Sequence, residues 1–492
     1  MFSQTIEKDE FLPLTMLFMH SFLSGIALIF FETTANTIFL VDLGVSHLPY
    51  VYILSAIVSI VAGYSYTLFE ERLDIKMLLK IMLGFVLFIV TSFVILIQIS
   101  NHPFISLALM VFKDLIWIFV SMEFGLLIGI ILNIRQGKRL FGILMSGEIL
   151  AGIIGGLSVG FILNFIDTKH LLVISIIALL FSMLLLVQII DKFSERFDQI
   201  PPKAHQEGSL VSTHKILSNN YYLLFFALSA LACLIFYFID YIFYHSIEQQ
   251  YQSPKELASF FGLFFALLNI INLLSSLFIS GRMLSHFGVI FGLLVMPMIA
   301  LFGSSFLLLI SVASLGIGFV VVVGIKVLIE VSDLSILNPT FKTLYQSIPI
   351  KYRPKVMAYK ESIIEPLAMG VAGLMLLGLT ALATLQTLYI VIILLALVWL
   401  FLSKAIKKHY LNALEAMLFR REALEDDIHL DSMAQKLFME HLKSDDEMEV
   451  IYSLDSLIKM QYEDIDALML KLIDHPSKRV RLYLLDLIRI LQ

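Results

Sequence analysis

Twelve apolar runs, each close to the length that crosses a bilayer, leave this chain very few folds to choose from. A hydrocarbon core is spanned by about 20 predominantly apolar residues in a helix. Inside lipid only helices and closed barrels satisfy every backbone polar group, and runs this long suit helices rather than the shorter strands of a barrel. The spans fall near 12–38, 48–69, 77–99, 104–132, 140–165, 170–190, 221–246, 257–280, 287–310, 313–337, 357–380 and 384–403. The faintest boundary lies between the ninth and tenth, where only Ser311 to Ser314 interrupts the apolar sequence. The expected fold class is an all-α polytopic membrane protein with twelve transmembrane helices and a helical C-terminal tail.

Composition supports that division. Hydrophobic residues make up 59% of the 492, more than a soluble domain carries. From Lys404 onward, 89 residues hold 30 of the 74 charged side chains, so the tail has a soluble composition. A net charge of −6 points to neither nucleic acid nor a polybasic anchor. The single cysteine, Cys233, excludes an intrachain disulfide. Met1 to Glu10 lacks a basic region and a small-residue cleavage site, so the first span is expected to serve as the insertion signal.

Orientation follows from loop charge. With the N-terminus cytoplasmic, the inner segments before the tail carry fifteen Lys and Arg, from Lys8 and Arg72 to Arg353 and Lys355. The outer loops carry only Lys169 and Lys255. Both termini are therefore expected on the cytoplasmic side of a bacterial-type inner membrane. The longest inner loop, with Pro201-Pro202, follows the sixth span. This divides the chain into a six-helix half at 1–190, a linker at 191–220, a second half at 221–403 and a cytoplasmic helical domain at 404–492.

The halves share landmarks. Arg135-Gln-Gly-Lys138-Arg139 runs as a basic loop into a helix with Glu148, Gly152, Gly156 and Gly160. Arg353-Pro-Lys355 precedes a helix with Glu365, Gly370 and Gly373. An offset of 217 carries Glu148 onto Glu365 and Gly156 onto Gly373. Glu32 corresponds to Asp240 at offset 208, Arg72 to Arg282 at 210, and Lys113 to Lys326 at 213. An offset that grows slowly through short loops indicates a duplicated six-helix unit.

Twelve spans, a 6+6 repeat and a central cytoplasmic loop resemble the major facilitator superfamily. Ser280-Gly281-Arg282 to Phe287-Gly288 resembles its turn between helices eight and nine. Arg139-Leu-Phe-Gly142 before the glycine-rich helix is similar to the ATP/ADP translocase (nucleotide transporter) family. So is Asn338-Pro339-Thr-Phe-Lys342-Thr-Leu-Tyr345-Gln346 followed by Arg353 and Glu365, particularly in bacterial relatives with a HEAT-type tail. In the fourth helix, where such carriers tend to show Phe-Trp, this chain has Glu123-Phe124-Gly125. The tail repeats at 30 positions: Leu442/Leu472, Val450/Val480, Leu454/Leu484, Leu457/Leu487 and Ile458/Ile488 coincide. Two HEAT-like copies are too few for a free-standing solenoid. The tail is expected to pack on the membrane domain, on the helices before it, or on a protein partner.

A charge at mid-membrane costs about 2.5–3.5 kcal/mol on insertion scales, so each one is a candidate functional group. The structural reading must stand beside the functional one. Lys326 and Glu330 at i,i+4 can neutralise each other; Lys113 adjoins Asp114 and lies one turn from Trp117, within reach of a cation–π contact; Lys360 can snorkel to the headgroups. Across the repeat, Lys113 and Lys326 make a mid-depth pair suited to an anionic group such as phosphate. The superfamily resemblance implies that helices one, four, seven and ten line the cavity, with Glu32 and Asp240 facing it to bind substrate or a coupling proton. It also places Glu148 and Glu365 at the contact between halves as gating or coupling groups; Glu330 and Asp114 are further gating or coupling candidates. Gly152, Gly156 and Gly160 on one helix face permit close helix approach.

No P-loop, metal-ligand cluster or nucleophile–His–Asp pattern occurs, so no cofactor, metal or enzymatic activity is expected. The histidines His20, His245 and His286 stand isolated in sequence. The sequence therefore reads as a secondary active transporter of an organic anion, with nucleotide or phosphorylated metabolite open, working by exchange or on a proton gradient. The alternatives are a proton-coupled carrier of another solute and a non-transporting membrane scaffold or sensor whose tail binds a partner.

Overall fold

The computed structural model describes residues 8–100, 102–198, 216, 218–276, 281–313, 316–349, 352–382 and 384–419. In the tail it describes 438–439, 441–442, 447–459, 462, 465–473 and 475–491. Most of the linker expected at 191–220 lies outside these residues, as do the side chains of Arg135, Lys138 and Arg282. Among the described residues all regular structure is helical.

The first half comprises α1 (Lys8–Asp42), α2 (Leu48–Arg72), α3 (Ile75–Ile99), α4 (Pro103–Ile131), α5 (Ile134–Ile162) and α6 (Leu171–Lys192). The second comprises α7 (Asn220–Gln250), α8 (Pro254–Ser275), α9 (Gly281–Ala313), α10 (Gly318–Ser332), α11 (Glu365–Leu382) and α12 (Leu385–Phe419). The tail adds α13 (Glu447–Lys459), α14 (Ile465–Leu472) and α15 (Lys478–Leu491). Among the described residues, eleven helices are long and apolar enough to cross a membrane, and the chain is an integral membrane protein.

The expected span at 313–337 departs from that pattern. α10 has only 15 residues before a π-helical turn at Asp333–Leu337, after which helix resumes over Asn338–Gln346. A second π turn, Lys360–Ile364, separates Arg353–Tyr359 from α11. Each π turn is followed at once by a proline in second place, Asn338-Pro339 and Glu365-Pro366. Proline lacks an N–H and its ring clashes with the carbonyl four residues earlier; one widened turn relieves both.

The basic stretch at 135–139 is not a loop. Asn133 and Gln136 form a reciprocal capping box, with Gln136 N–H donating to Asn133 Oδ1 at 2.8 Å, so α5 begins at Ile134. Arg139 then reaches Glu10 of α1, which also accepts from Gln136 at 3.0 Å. Gly288, at the end of the expected turn between helices eight and nine, has φ +77° and breaks α9 near its start, a backbone region that glycine adopts without strain.

Two large cores form, one within the first half and one centred on the second half that also takes in Phe39, Leu48 and Val51 of the first. Leu17, Phe31, Leu83, Val90, Leu127 and Leu186 anchor the first; Phe225, Phe238, Phe261, Ile329 and Trp399 anchor the second. The halves meet where α5 packs on α8 and α2 on α11. Lipid tails are as apolar as leucine, so such contacts depend on close packing between small residues. A Cβ at Gly156 would land on the Gly262 carbonyl oxygen, and one at Gly262 would lie 2.7 Å from that of Gly156. At Gly373 it would lie 2.6 Å from the Pro49 carbonyl oxygen. Gly156 and Gly373, matched by the repeat, thus occupy the two crossings between halves. At the end away from the basic loops, polar contacts also bridge the halves. Val45 N–H donates to Glu248 Oε1 at 3.1 Å, and Lys255 Nζ to Asn164 Oδ1 at 2.9 Å.

α12 is 35 residues long and runs past the expected span end at 403 without a break. In the tail, the positions matched at a spacing of 30 are buried together: Leu442 with Leu472, Val450 with Val480, and Leu454 with Leu484.

Candidate functional site

Six of the ionisable residues singled out in the sequence converge where α1, α2, α4, α7 and α10 meet. In the first half Lys113 Nζ of α4 lies 3.7 Å from Glu32 Oε1 of α1 and donates to Asn36 Oδ1 at 3.4 Å. In the second half Lys326 Nζ of α10 donates to Asp240 Oδ1 of α7 at 2.6 Å, and pairs with Glu330 at 2.8 Å. Its ammonium also sits 4.1 Å from the Phe236 ring centroid, a cation–π contact. The lysine of helix four or ten meets the acid of helix one or seven in both halves. The duplicated sequence has become a duplicated ion pair.

Two hydrogen bonds join these pairs across the molecular midline. Tyr244 of α7 donates to Asn36 Oδ1 at 2.9 Å, and Tyr52 of α2 donates to Asp240 Oδ2 at 2.7 Å. Asp114 lies within electrostatic range of Lys113 and Asp240. The site is therefore a polar layer in an apolar bundle, with four carboxylates (Glu32, Asp114, Asp240, Glu330) and two ammonium groups. Charge removed from water at this depth is tolerated only when paired and hydrogen-bonded, and the tyrosines and Asn36 supply the remaining partners.

The other expected site residues lie elsewhere. Glu365 accepts from Lys360 at 2.5 Å and from Ser229 of α7 at 3.0 Å. Lys360 is 6% exposed and stands 5.2 Å from the Phe341 ring centroid, so it does not snorkel; the π turn aims it inward. Glu148 backs onto α1 at Gly25, and among the described residues it has no hydrogen-bond or ionic partner. Lys113 makes no cation–π contact among the described residues, and Trp117 is half-exposed.

Sequence reasoning missed Tyr52 and Tyr244, because a tyrosine in an apolar run carries no linear signal of what its hydroxyl meets. It also missed a partner for His20. His20 Nε2 lies 3.0 Å from Glu123 Oε2, both fully buried, although 103 residues separate them.

Residues 117–336 match the family model described as TLC ATP/ADP transporter. That stretch includes Glu123, Glu148, Asp240, Lys326 and Glu330. Among solved structures, the nucleoside transporter NupG aligns with 80% of this chain and 99% of its own at a TM-score of 0.58 and 14% identity. The chain has the major facilitator fold. A bacterial homologue of the iron transporter ferroportin, in its inward-facing state, aligns with a TM-score of 0.58 and 12% identity over 81% of this chain and 99% of that one. The inward-open xylose transporter XylE from E. coli gives 0.57 and 15% over 83% and 99%. No curated protein sequence matches this chain. In major facilitator terms, the α5–α8 and α2–α11 crossings are the seams between halves, and the Lys113–Lys326 layer lies between them.

Proposed function

We propose that this chain is a secondary active transporter that moves an organic anion, of the nucleotide or phosphorylated-metabolite class, by alternating access. The family match and the fold together support the transporter class. One observation supports the anion: the repeat brings one lysine from each half into a single mid-depth polar layer whose hydrogen bonds cross between the halves. Such a layer lets a ligand's charge act on both halves at once, as a switch between two access states requires. Boundaries at 190, 220 and 403, cytoplasmic termini and a bacterial-type inner membrane are part of this reading, supported by the distribution of Lys and Arg.

The geometry favours one way for an anion to enter. Both lysines already hold carboxylates, so a phosphate must displace one or share its lysine. The contact easiest to displace is Lys113–Glu32, at 3.7 Å and partly open, whereas Lys326 is nearly sealed by Asp240 and Glu330. Lys113 is then the entry contact and Lys326 the anchor of the layer. Glu148 and Glu365, beside the seams, are proposed to gate rather than to bind.

The test is exchange in liposomes. Purified protein is reconstituted with unlabelled ADP inside, and uptake of labelled ATP, phosphorylated metabolites or organic acids is measured. The expected outcome is uptake that depends on internal anion and is lost in Lys113→Ala. No uptake of any of these anions, together with no thermal stabilisation by them, would sink the proposal.

A further inference from the structure

The central layer accounts for six ionisable groups but not for the buried pair His20 and Glu123. This pair lies inside the first half, where α1, α4 and α6 meet. His20 Nε2 faces Glu123 Oε2 at 3.0 Å. On its other side Nδ1 lies 3.0 Å from Ser182 Oγ and 3.2 Å from the Ser182 carbonyl oxygen. Ser182 Oγ is in turn 2.8 Å from Ser24 Oγ. Glu123 Oε1 has no hydrogen-bond partner and is fully buried. α3 and α5, which pack around these helices, bring no charged group to bear on His20 among the described residues; Glu148 of α5 backs onto Gly25, more than a turn further along α1.

Proton positions follow from this geometry. Two lone pairs cannot face each other at 3.0 Å, so a hydrogen lies between Nε2 and Oε2. If Nδ1–H donates to the Ser182 carbonyl, Ser182 O–H is free to donate to Ser24. The pair then holds its full complement of protons and is neutral overall, as imidazole with carboxylic acid or imidazolium with carboxylate. If instead Ser182 O–H donates to Nδ1, neutral His20 donates Nε2–H to carboxylate, and the pair carries one negative charge. The same four side chains satisfy both arrangements; they differ by one proton exchanged with water. A bare oxygen on an ionised carboxylate in an apolar bundle is expensive, so the unpartnered Oε1 fits the proton-loaded form with the proton on the Glu123 carboxyl.

We propose that His20 and Glu123, with Ser182 as the hydroxyl that changes donor direction, form a proton-binding site in the first half, distinct from the central layer. It lies about 18 Å from Glu32 along α1 and about 15 Å from Lys113 along α4. Those two helices therefore carry both the central pair and the proton site.

The experiment needs no transported solute, so failure of the anion reading leaves it intact. Infrared difference spectra of the purified full chain in lipid nanodiscs are recorded as pH is stepped from acid to alkaline. The expected result is one titrating band, carboxylic acid or imidazolium, that is lost in both Glu123→Gln and His20→Asn. Ser182→Ala, which keeps both ionisable partners, should remain folded by gel filtration and move the midpoint of that band. Spectra from which neither Glu123→Gln nor His20→Asn removes a titrating band overturn the proposal. So does a midpoint that Ser182→Ala leaves unmoved.

Discussion

The two halves of the central layer use the same residue types and hold them differently. Lys326 is closed in by Asp240 at 2.6 Å, Glu330 at 2.8 Å and the Phe236 ring, and its side chain is 4% exposed. Lys113 meets Glu32 at 3.7 Å and Asn36 at 3.4 Å, and its side chain is 17% exposed. Glu330 accounts for much of the difference. It places a second carboxylate one turn from Lys326, whereas the acid next to Lys113 is Asp114, adjacent in sequence and so on a different face of the helix. The duplicated unit holds one lysine closed in and leaves the other more open. Coulomb attraction is steep in a low-dielectric setting, so one ångström and one extra acid hold Lys326 more tightly than Lys113.

The sharpest way to break this comparison is to remove each lysine. Lys326→Ala removes a buried ammonium and leaves the partly buried Asp240 and Glu330 without a cation; losing one partner of a buried ion pair costs about 3–5 kcal/mol. The expected outcome is a large fall in melting temperature in detergent, with little folded protein recovered. Lys113→Ala should melt close to the unaltered protein yet lose anion uptake by about tenfold to a thousandfold, the loss expected when a charge-assisted contact disappears. Equal destabilisation by both substitutions would erase the distinction.

The seams give an intermediate effect. Gly156→Ala forces a Cβ onto the Gly262 carbonyl oxygen, while Gly373→Ala meets the Pro49 carbonyl oxygen at 2.6 Å. Overpacking of this kind costs about 1–3 kcal/mol. Both variants should slow exchange in liposomes, Gly156→Ala more than Gly373→Ala, and the reverse order would show that the tighter crossing is not the one that moves. The smallest expected change is in Glu32→Gln. Freeing Lys113 from its acid should tighten apparent anion affinity by a few-fold, about 1 kcal/mol, in a titration of uptake against substrate concentration. Weaker affinity would assign Glu32 to the substrate rather than to Lys113.

Much of this was legible from residue order alone. Eleven of the expected spans correspond to helices able to cross a membrane, because the bilayer leaves so few alternatives to a long apolar helix. Offsets between charged landmarks found the lysines and acids that meet at the centre. Pairing across helices was less visible. His20 looked isolated because Glu123 and Ser182 reach it only through packing of three helices, and tyrosine hydroxyls in apolar runs give no linear sign of their partners. The π turns had a signal that went unread: Asn338-Pro339 and Glu365-Pro366 each place a proline where a regular helix would clash. Reading Pro366 that way explains why Lys360 points to Glu365 and Phe341 instead of to the headgroups.

α12 has one more consequence. It continues for sixteen residues beyond 403 as unbroken helix, about 24 Å of rigid shaft at 1.5 Å per residue. A tilt of the second half by even a few degrees is therefore magnified at the far end of that shaft. A fluorophore pair, one at the end of α12 and one on the basic end of the first half, would turn an ångström-scale movement in the bilayer into a distance change that can be followed one molecule at a time.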